Sequence, residues 1–353
     1  MSSAIEAQAN LKTWKAVEEW RVDGAPGEPF ADLRDYVVTK DGALWVLDFK
    51  DQNIRRYDAN GRPLATISRK GSGPGEMRNA NGVAIGPDGL VWANDPGNGR
   101  LTVFGLDGKY VRQITSGARG YGYRWMATTN KAKKELVEQS FATTTSEWKR
   151  YDSSGNALGT LPFSGCSGGK PTYAGFRAET KGKGSSNGAY PFTNGGGLVP
   201  DDAGNVWCAS ANATRVALVR MGAHDTIAQT TVVIPILTVS NEERNDQIAK
   251  IEKRISTYET NDFDKSKIPG TKSGIGALHV DDDGRLWVQH TGVFKTKSAT
   301  FDVFDSNGKH LGRVTIPVAH REYLPLRARG DFFWITVTDD DDAPSVVKYK
   351  IQK

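Results

Sequence analysis

The chain has 353 residues, 38% of them hydrophobic, with 46 Lys and Arg against 41 Asp and Glu, and 39 Gly. That apolar share suffices for a sizeable core and excludes wholesale disorder, while no run nears the roughly 18 apolar residues of a membrane-spanning helix. The net charge of +5 is spread over interspersed signs, so there is no dedicated polyanion-binding segment, and Gly above its usual share of roughly 7% points to many tight turns.

In chain order, residues 1–12 read as an N-terminal tail. Met1-Ser2-Ser3-Ala4-Ile5-Glu6 has neither the basic nor the apolar region of a signal peptide, which fits a mature chain whose signal has been removed as well as a cytosolic one. Trp14–Val22 alternates as a strand. A two-part repeat then runs to the C-terminus. One half is a turn leading into a Trp-bearing apolar strand: Lys40-Asp41-Gly42-Ala43-Leu44-Trp45-Val46, Pro87-Asp88-Gly89-Leu90-Val91-Trp92, Asp202-Ala203-Gly204-Asn205-Val206-Trp207 and Asp283-Gly284-Arg285-Leu286-Trp287-Val288. The other is a strand closed by a turn: Tyr57-Asp58-Ala59-Asn60-Gly61, Phe104-Gly105-Leu106-Asp107-Gly108, Tyr151-Asp152-Ser153-Ser154-Gly155 and Phe304-Asp305-Ser306-Asn307-Gly308.

Asp-Gly and Asn-Gly supply the positive φ of two-residue hairpin turns, and the β-branched and aromatic flanks form strands. The period is that of a four-stranded propeller blade, which buries its faces only against neighbouring blades, so the copies must close into a ring. The blades fall near 32–68, 79–115, 123–162, 194–236, 273–316 and 323–353. Asn130-Lys131-Ala132-Lys133-Lys134 replaces the Asp-Gly turn in the third, and Arg329-Gly330-Asp331 in the sixth. The expected fold is all-β: one six-bladed β-propeller over residues 13–353, its ring closed by the N-terminal strand as the outermost strand of the last blade. Two insertions interrupt it. Residues 164–193, rich in Gly, Ser and Lys, read as a solvated surface loop. Residues 238–270 hold a helix near 240–259, with Ser240 and Glu243 as a capping box and Ile248, Ile251, Ile255 and Tyr258 as an apolar stripe packed across one end of the propeller.

These repeats resemble NHL-type six-bladed propellers. Gly71-Ser72-Gly73-Pro74-Gly75-Glu76-Met77 is similar to the Gly-x-Gly-Pro-Gly-Glu-Phe element of a bacterial propeller family, exported or lipid-anchored and mostly of unassigned function; Met77 stands where that family has Phe. The helical insert, Asp282–Val288 and Phe301–Asp305 extend the resemblance over most of the chain. It implies a periplasmic or cell-surface location, with the cytoplasm left open. It also implies a disulfide between Cys166 and Cys208, the only cysteines, which by themselves fit one disulfide or two buried thiols.

In a propeller the innermost strands line a central channel. Arg34, Asp35, Asn79, Asn81, Arg124 and Asn194 are the polar candidates for its mouth, and His320 is the histidine nearest to it. Asn81-Gly82-Val83 resembles an Asn-Gly element of gluconolactonase-type propellers, which hold a divalent cation in the channel. Asp35, Asn81 and Asn194 are the candidate ligands and Ca²⁺ the ion they would take, although Ca²⁺ wants roughly six to eight oxygens. Streptogramin-type and amidating lyases on propellers depend on channel histidines. Here His224 and His310 fall at turns and His279 and His290 flank the fifth hairpin; none has His-x-x-x-His spacing, so neither zinc nor a histidine base is expected. There is no Gly-x-Ser-x-Gly, and Gly71–Gly75 is no phosphate loop. Asp339–Asp342 reads as a solvated turn. Lys131, Lys133, Lys134, Lys149 and Arg150 are offset by Glu135, Glu138 and Glu147, so no nucleic-acid partner is expected.

Lacking a catalytic set, the chain reads as a binding or scaffold propeller without a cofactor, presenting one face to a protein or glycan partner in the cell envelope. It would act alone or as a subunit of a larger complex, peripheral to the membrane through its partner. The alternative is a channel-mouth lactonase or lyase acting on a sugar acid or similar anion, with or without Ca²⁺: Arg34 and Arg124 would take the carboxylate while Asp35, Asn81 and Asn194 hold the cation. Convergence of these residues on one centre separates the two readings.

Overall fold

The recurrent turn is set by an aspartate three residues ahead of its glycine. The computed structural model describes residues 12–115, 124–142, 145–162, 175–193, 196–210, 214–320 and 324–353. In it, Asp58 Oδ1 accepts from the backbone N–H of Asn60 (2.8 Å) and Arg62 (2.9 Å), while Gly61 N donates to Asp58 O (3.0 Å) with Gly61 at φ +78°. Asp152, Asp201, Asp281 and Asp305 repeat the pattern. These are three-residue loops, a type I turn ended by a left-handed residue, and not the two-residue turns that Asp-Gly alone suggests; the leading aspartate captures the loop's N–H groups and favours the longer form. Asp339 does the same for Asp341 and Ala343, with Asp342 at φ +60° in the glycine's place.

Between turns the chain forms antiparallel meanders. Leu33–Val38, Leu44–Asp48, Asn53–Tyr57 and Pro63–Ile67 pair in that order. So do Gly82–Ile85, Val91–Asp95, Arg100–Phe104 and Tyr110–Thr115, and then Ala127–Asn130, Glu135–Ala142, Thr145–Tyr151 and Ala157–Thr160. Gly196–Pro200, Val206–Ser210, Arg215–Met221 and Thr226–Val233 form a fourth sheet. Ile275–Val280, Leu286–His290, Ala299–Phe304 and His310–Ile316 belong to a nine-stranded sheet. That sheet continues through Thr13–Val22, Pro344–Gln352 and Phe332–Thr338 to Ala319–His320 and Arg327–Arg329. Thr13 and Trp14 run parallel to Arg313 and Val314; from Lys15, opposite Gln352, to Val22, opposite Val346, the strand is antiparallel to the C-terminal one.

Core clusters sit between successive sheets. The repeat tryptophans Trp45, Trp92, Trp207 and Trp287 are fully buried. Trp45 clusters with Ala80, Val83 and Phe104 of the next sheet, Trp92 with Trp125, Leu136 and Tyr151, Trp207 with Leu278 and Phe304, and Trp287 with Phe333 and Tyr349. Val137 and Trp148 share a cluster with Val206 and Met221. Tyr36, Leu44 and Val46 of the first sheet share one with Trp334 and Val346 of the last. Burial of such aromatic and branched side chains is the main source of stability.

The element at 71–77 is structural. The Arg100 guanidinium donates to the carbonyls of Ser72 (3.2 Å), Gly73 (2.6 Å) and Glu76 (2.9 Å), and the Glu76 carboxylate accepts from Gly73 N (2.8 Å). Any Cβ on Gly71 would collide with that carboxylate, and Met77 is fully buried.

The insertions differ from expectation. The described part of 164–193 is no loop: Gly175–Thr180 and Gly184–Ala189 form a hairpin that Thr260–Asn261 extends to three strands. The helix is shorter than 240–259, running Asn241–Ile255, with Ser240 Oγ accepting from Glu243 N (3.1 Å). Its Ile251 and Ile255 pack on Phe176, Ala178, Tyr190 and Ile268, so the hairpin, and not the propeller end, covers its stripe. Tyr258 lies beyond the helix but packs against the same cluster. Cys208 is buried and disulfide-bonded, and Cys166 lies outside the described residues. Among the described residues no helix is long and apolar enough to cross a membrane.

Trp14 is 5% exposed and lies in the cluster of Phe301, Phe333 and Tyr349. Trp14→Ala should cost about 3–5 kcal/mol in urea unfolding. A loss below about 1 kcal/mol, the range of an ordinary surface substitution, would show that the N-terminal strand is not docked as described.

Candidate functional site

The first strands of neighbouring sheets lie side by side, Leu33–Val38 against Gly82–Ile85 and that against Ala127–Asn130, as the walls of a channel would. A register shift between Leu33 and Asp35 decides which side chain of the first strand faces its neighbours. Asp35, 1% exposed, accepts at Oδ2 from Val83 N (3.1 Å), and at Oδ1 from Tyr36 N (2.9 Å) and Arg124 Nη1 (3.4 Å). Gly82 permits this approach: a Cβ there would lie 3.0 Å from Asp35 Oδ2 and closer still to Trp125. Burial pushes the Asp35 carboxyl above its usual range, against the pull of Arg124 and Arg327. Burial likewise lowers Arg124, against Asp35.

Arg327, opposite Trp334 at the inner edge of the last sheet, acts electrostatically on Asp35, Tyr36, Arg124 and His279. Yet its half-buried side chain makes no hydrogen bond or ion pair among the described residues, and its Nε is buried without a partner. The Tyr36 hydroxyl donates toward the carbonyls of Pro325 (2.5 Å) and Trp334 (2.8 Å), tying the first sheet to the last.

Two histidines complete the centre. Leu326 N points at His279 Nδ1 (3.5 Å), so His279 donates from Nε2 to Gln289 Oε1 (3.1 Å); burial drops its pKa to about 3. His320 donates from Nδ1 to Thr336 O (2.8 Å), and burial drops it to about 4. Both rings are neutral at pH 7. At the turn end of the same strands, Lys131 bridges Asp202 (2.5 Å) and Asp282 (3.3 Å), and Arg329 pairs with Asp282 while donating to Thr39 O (2.9 Å) and Lys40 O (3.0 Å). Those contacts link the turns of different sheets.

Of the residues singled out from sequence, Asp35 and Arg124 meet directly. Asn81 lies beside them, its backbone carbonyl accepting from Trp125 N (3.1 Å). His320 enters through its electrostatic effect on His279. Arg34 turns away, paired to Asp32 (2.7 Å) with its guanidinium 3.9 Å over Phe49. Asn79 stays in the preceding loop, its N–H held by Asp95 (2.9 Å), and Asn194 lies outside the described residues. Of the candidate Ca²⁺ ligands, Asp35 and Asn81 have other partners and Asn194 lies outside the described residues. Both Asp35 oxygens are engaged, Asn81 Oδ1 accepts from Asn94 Nδ2 (2.8 Å), and no group of His, Cys, Asp or Glu among the described residues could hold a metal.

Sequence reasoning missed Arg327 and His279. His279 does not merely flank a hairpin: it lies on Ile275–Val280, the first strand of its meander, because the turn begins only at Asp281. Reading turns from the leading aspartate would have placed it there. Arg327 follows the expected strand start at Tyr323-Leu324-Pro325, and continuing the alternation would have found it.

No known family profile matches the chain. A 66-residue segment, 19% of the chain, is 41% identical to RING finger protein nhl-1 of Caenorhabditis elegans, of which it covers 7%. The chain thus spans less than a tenth of that relative's length. Among solved structures, the PQQ-bound aldose sugar dehydrogenase of Streptomyces coelicolor is similar at 13% identity and a TM-score of 0.50, over 97% of this chain and 99% of that one. A DUF4221 family member from Bacteroides vulgatus is similar at 10% identity and a TM-score of 0.47, over 97% and 98%. The fold is nearly all β and of the β-propeller kind.

The depressed histidines have a stability consequence. Below pH 6.5 the unfolded chain takes up protons that the folded chain refuses down to about 4 at His320 and about 3 at His279, so stability falls with pH across that window. Asp35, raised in the fold, binds its proton first in the folded state and partly offsets the loss at the acid end. His279→Gln, which cannot charge, should flatten the fall of the urea midpoint between pH 6.5 and 4; a slope equal to that of the wild type would contradict this account.

Proposed function

We propose that the chain is a six-bladed propeller, Thr13–Val22 completing its last blade, that binds a small anionic molecule of the sugar-acid class in its central channel. The observation that carries this reading is Arg327, a half-buried guanidinium with no partner among the described residues, beside an Arg124–Asp35 pair that is already neutral as a unit. A lone cation in a partly desolvated site is costly, and a planar carboxylate offsets that cost through charge-assisted hydrogen bonds. His279 and His320, being neutral, add hydrogen-bonding groups without adding charge. The ligand anchors are thus Arg124 and Arg327, where the sequence suggested Arg124 and Arg34. The ion pairs of Lys131, Asp202, Asp282 and Arg329 direct entry to the opposite mouth.

The scaffold reading has its own support. Leu64, Leu106, Tyr110 and Val111 are exposed on the outer parts of the first two meanders, a face suited to a protein or glycan partner. A disulfide-bonded Cys208 favours an oxidising compartment such as the periplasm or cell surface.

Thermal-shift and calorimetric titrations with D-gluconate and D-glucuronate, against uncharged D-glucose, separate the two. The acids should stabilise the chain, by about 2.7 kcal/mol at about 100 times Kd, with no requirement for Ca²⁺. Arg327→Met should weaken their binding at least about tenfold, about 1.4 kcal/mol, and Arg34→Met should leave it unchanged. No shift with any acid would sink the channel reading and leave the scaffold.

A further inference from the structure

In the first five meanders the last strand slips its register just past the turn, and an aliphatic side chain stands at the slip: Leu64, Val111, Leu158, Ile227 and Leu311. The residue that follows is glycine in two of them, Gly159 in the third meander and Gly312 in the fifth. Those two edges are near copies in sequence. Asp152-Ser153-Ser154-Gly155-Asn156-Ala157-Leu158-Gly159-Thr160-Leu161 matches Asp305-Ser306-Asn307-Gly308-Lys309-His310-Leu311-Gly312-Arg313-Val314, and Leu161 lies opposite Trp148 as Val314 lies opposite Phe301.

One copy is occupied. Thr13 and Trp14 run parallel to Arg313 and Val314, Arg313 N donates to Lys12 O (2.8 Å), and the Trp14 indole rests where a Gly312 Cβ would be. Leu311, half-buried, packs against the cluster that Trp14 joins.

The other copy is bare among the described residues. Ala157, Leu158, Gly159 and Thr160 are all exposed, and a Cβ on Gly159 would meet nothing within 4 Å. Leu161 N donates inward to Trp148 O (2.7 Å), so strand alternation turns the Thr160 N–H outward, as Arg313 turns its own toward Lys12. Gly159 stands at φ +88° and Gly312 outside the left-handed region, so the bare edge is the more bent and takes only a short guest. Ala157–Thr160 carries no charge and no proline, the usual protections of an edge.

Two kinds of occupant suit such an edge. A second copy would pair strand to strand, but four residues bury far less than the roughly 1,200 Å² that a stable dimer needs. A peptide needs only a few main-chain bonds and a place for one side chain. The occupied copy points to an aromatic one, since the glycine leaves room for a ring beside the buried Leu161 and Trp148.

We propose that Ala157–Thr160 is a docking edge, separate from the channel, for a short extended segment of a partner protein, laid parallel with an aromatic side chain over Gly159 as Trp14 lies over Gly312. The test is methyl and amide NMR of the full chain, titrated with an acetylated peptide that copies residues 10–18. It should shift the Leu158 and Leu161 methyls and the Thr160 amide. The same peptide with alanine in place of Trp14 should bind at least about tenfold more weakly, the loss expected for a buried aromatic anchor. Leu158→Lys should abolish binding without moving the urea midpoint, because that side chain is 39% exposed. Ile227→Lys, at the slip of the fourth meander, where Ala228 fills the glycine's place, should leave binding unchanged. Methyls unmoved at millimolar peptide, or moved only at Leu311 and Val314, would overturn the site. Equal binding of the alanine peptide would overturn the aromatic anchor. Self-association of the chain that Leu158→Lys removes would make a second copy the occupant and overturn the partner segment.

Discussion

Thr13–Val22 pairs antiparallel with Pro344–Gln352 and so brings both ends of the chain into one sheet. The pairing constrains more than its own hydrogen bonds. Without it, Pro344–Gln352 would present an open edge of unpaired backbone groups. Trp14 would leave the cluster it shares with Phe301, Phe333 and Tyr349. Gly312 has no room for a Cβ because the Trp14 indole lies on it, so the neighbouring meander is shaped to receive this strand. At the strand's other end, Trp20 Nε1 donates to Ala59 O (3.0 Å), reaching the first meander. Units that bury their faces only against neighbours have no stable free end, and here the first and last are held together.

Local chemistry sets the pieces that this pairing holds. In the turns led by an aspartate, that one side chain satisfies two backbone N–H groups and makes the hairpin without help from distant residues. Asp48 and Asp95 act a step further out, accepting from Ala31 and Asp32, and from Arg78 and Asn79, to fix the loops that enter the inner strands. The tryptophan of each repeat then carries the contact to the next sheet.

Two buried charges in this molecule show what separates support from a site. Asp302 is surrounded by donors from the two strands that flank it, every lone-pair direction is used, and the group is a clamp that also orients His290. Arg327 has no such company among the described residues, although the fold brings it beside Asp35, Arg124 and His279. A half-buried charge with no partner among the described residues is costly unless something binds it, which is the ground of the proposed anion site.

Much was legible in the chain itself. The turn residues, the buried tryptophans, the strand blocks and the start of the insert helix at Ser240 follow from local rules, because an Asx turn, a capping box and a period-2 strand are each decided within a few residues. Asp35 and Arg124 stood out for the same reason, since each stands at the start of a repeat. Which way Arg34 turns was not readable: it depends on a one-residue register shift and on the ring of Phe49. Nor was the pairing of Asp35 with Arg124, the isolation of Arg327, or the tautomers of His279 and His320. These depend on neighbours from other sheets, across separations that no local pattern encodes. The hairpin within 164–193 was hidden likewise, because Gly175–Thr180 and Gly184–Ala189 carry little strand signal and gain their burial from the helix Asn241–Ile255, far along the chain. Sequence determined the elements, since their hydrogen bonds close locally; tertiary structure alone decided the candidate site, since its electrostatics are sums over residues that only the tertiary fold brings together.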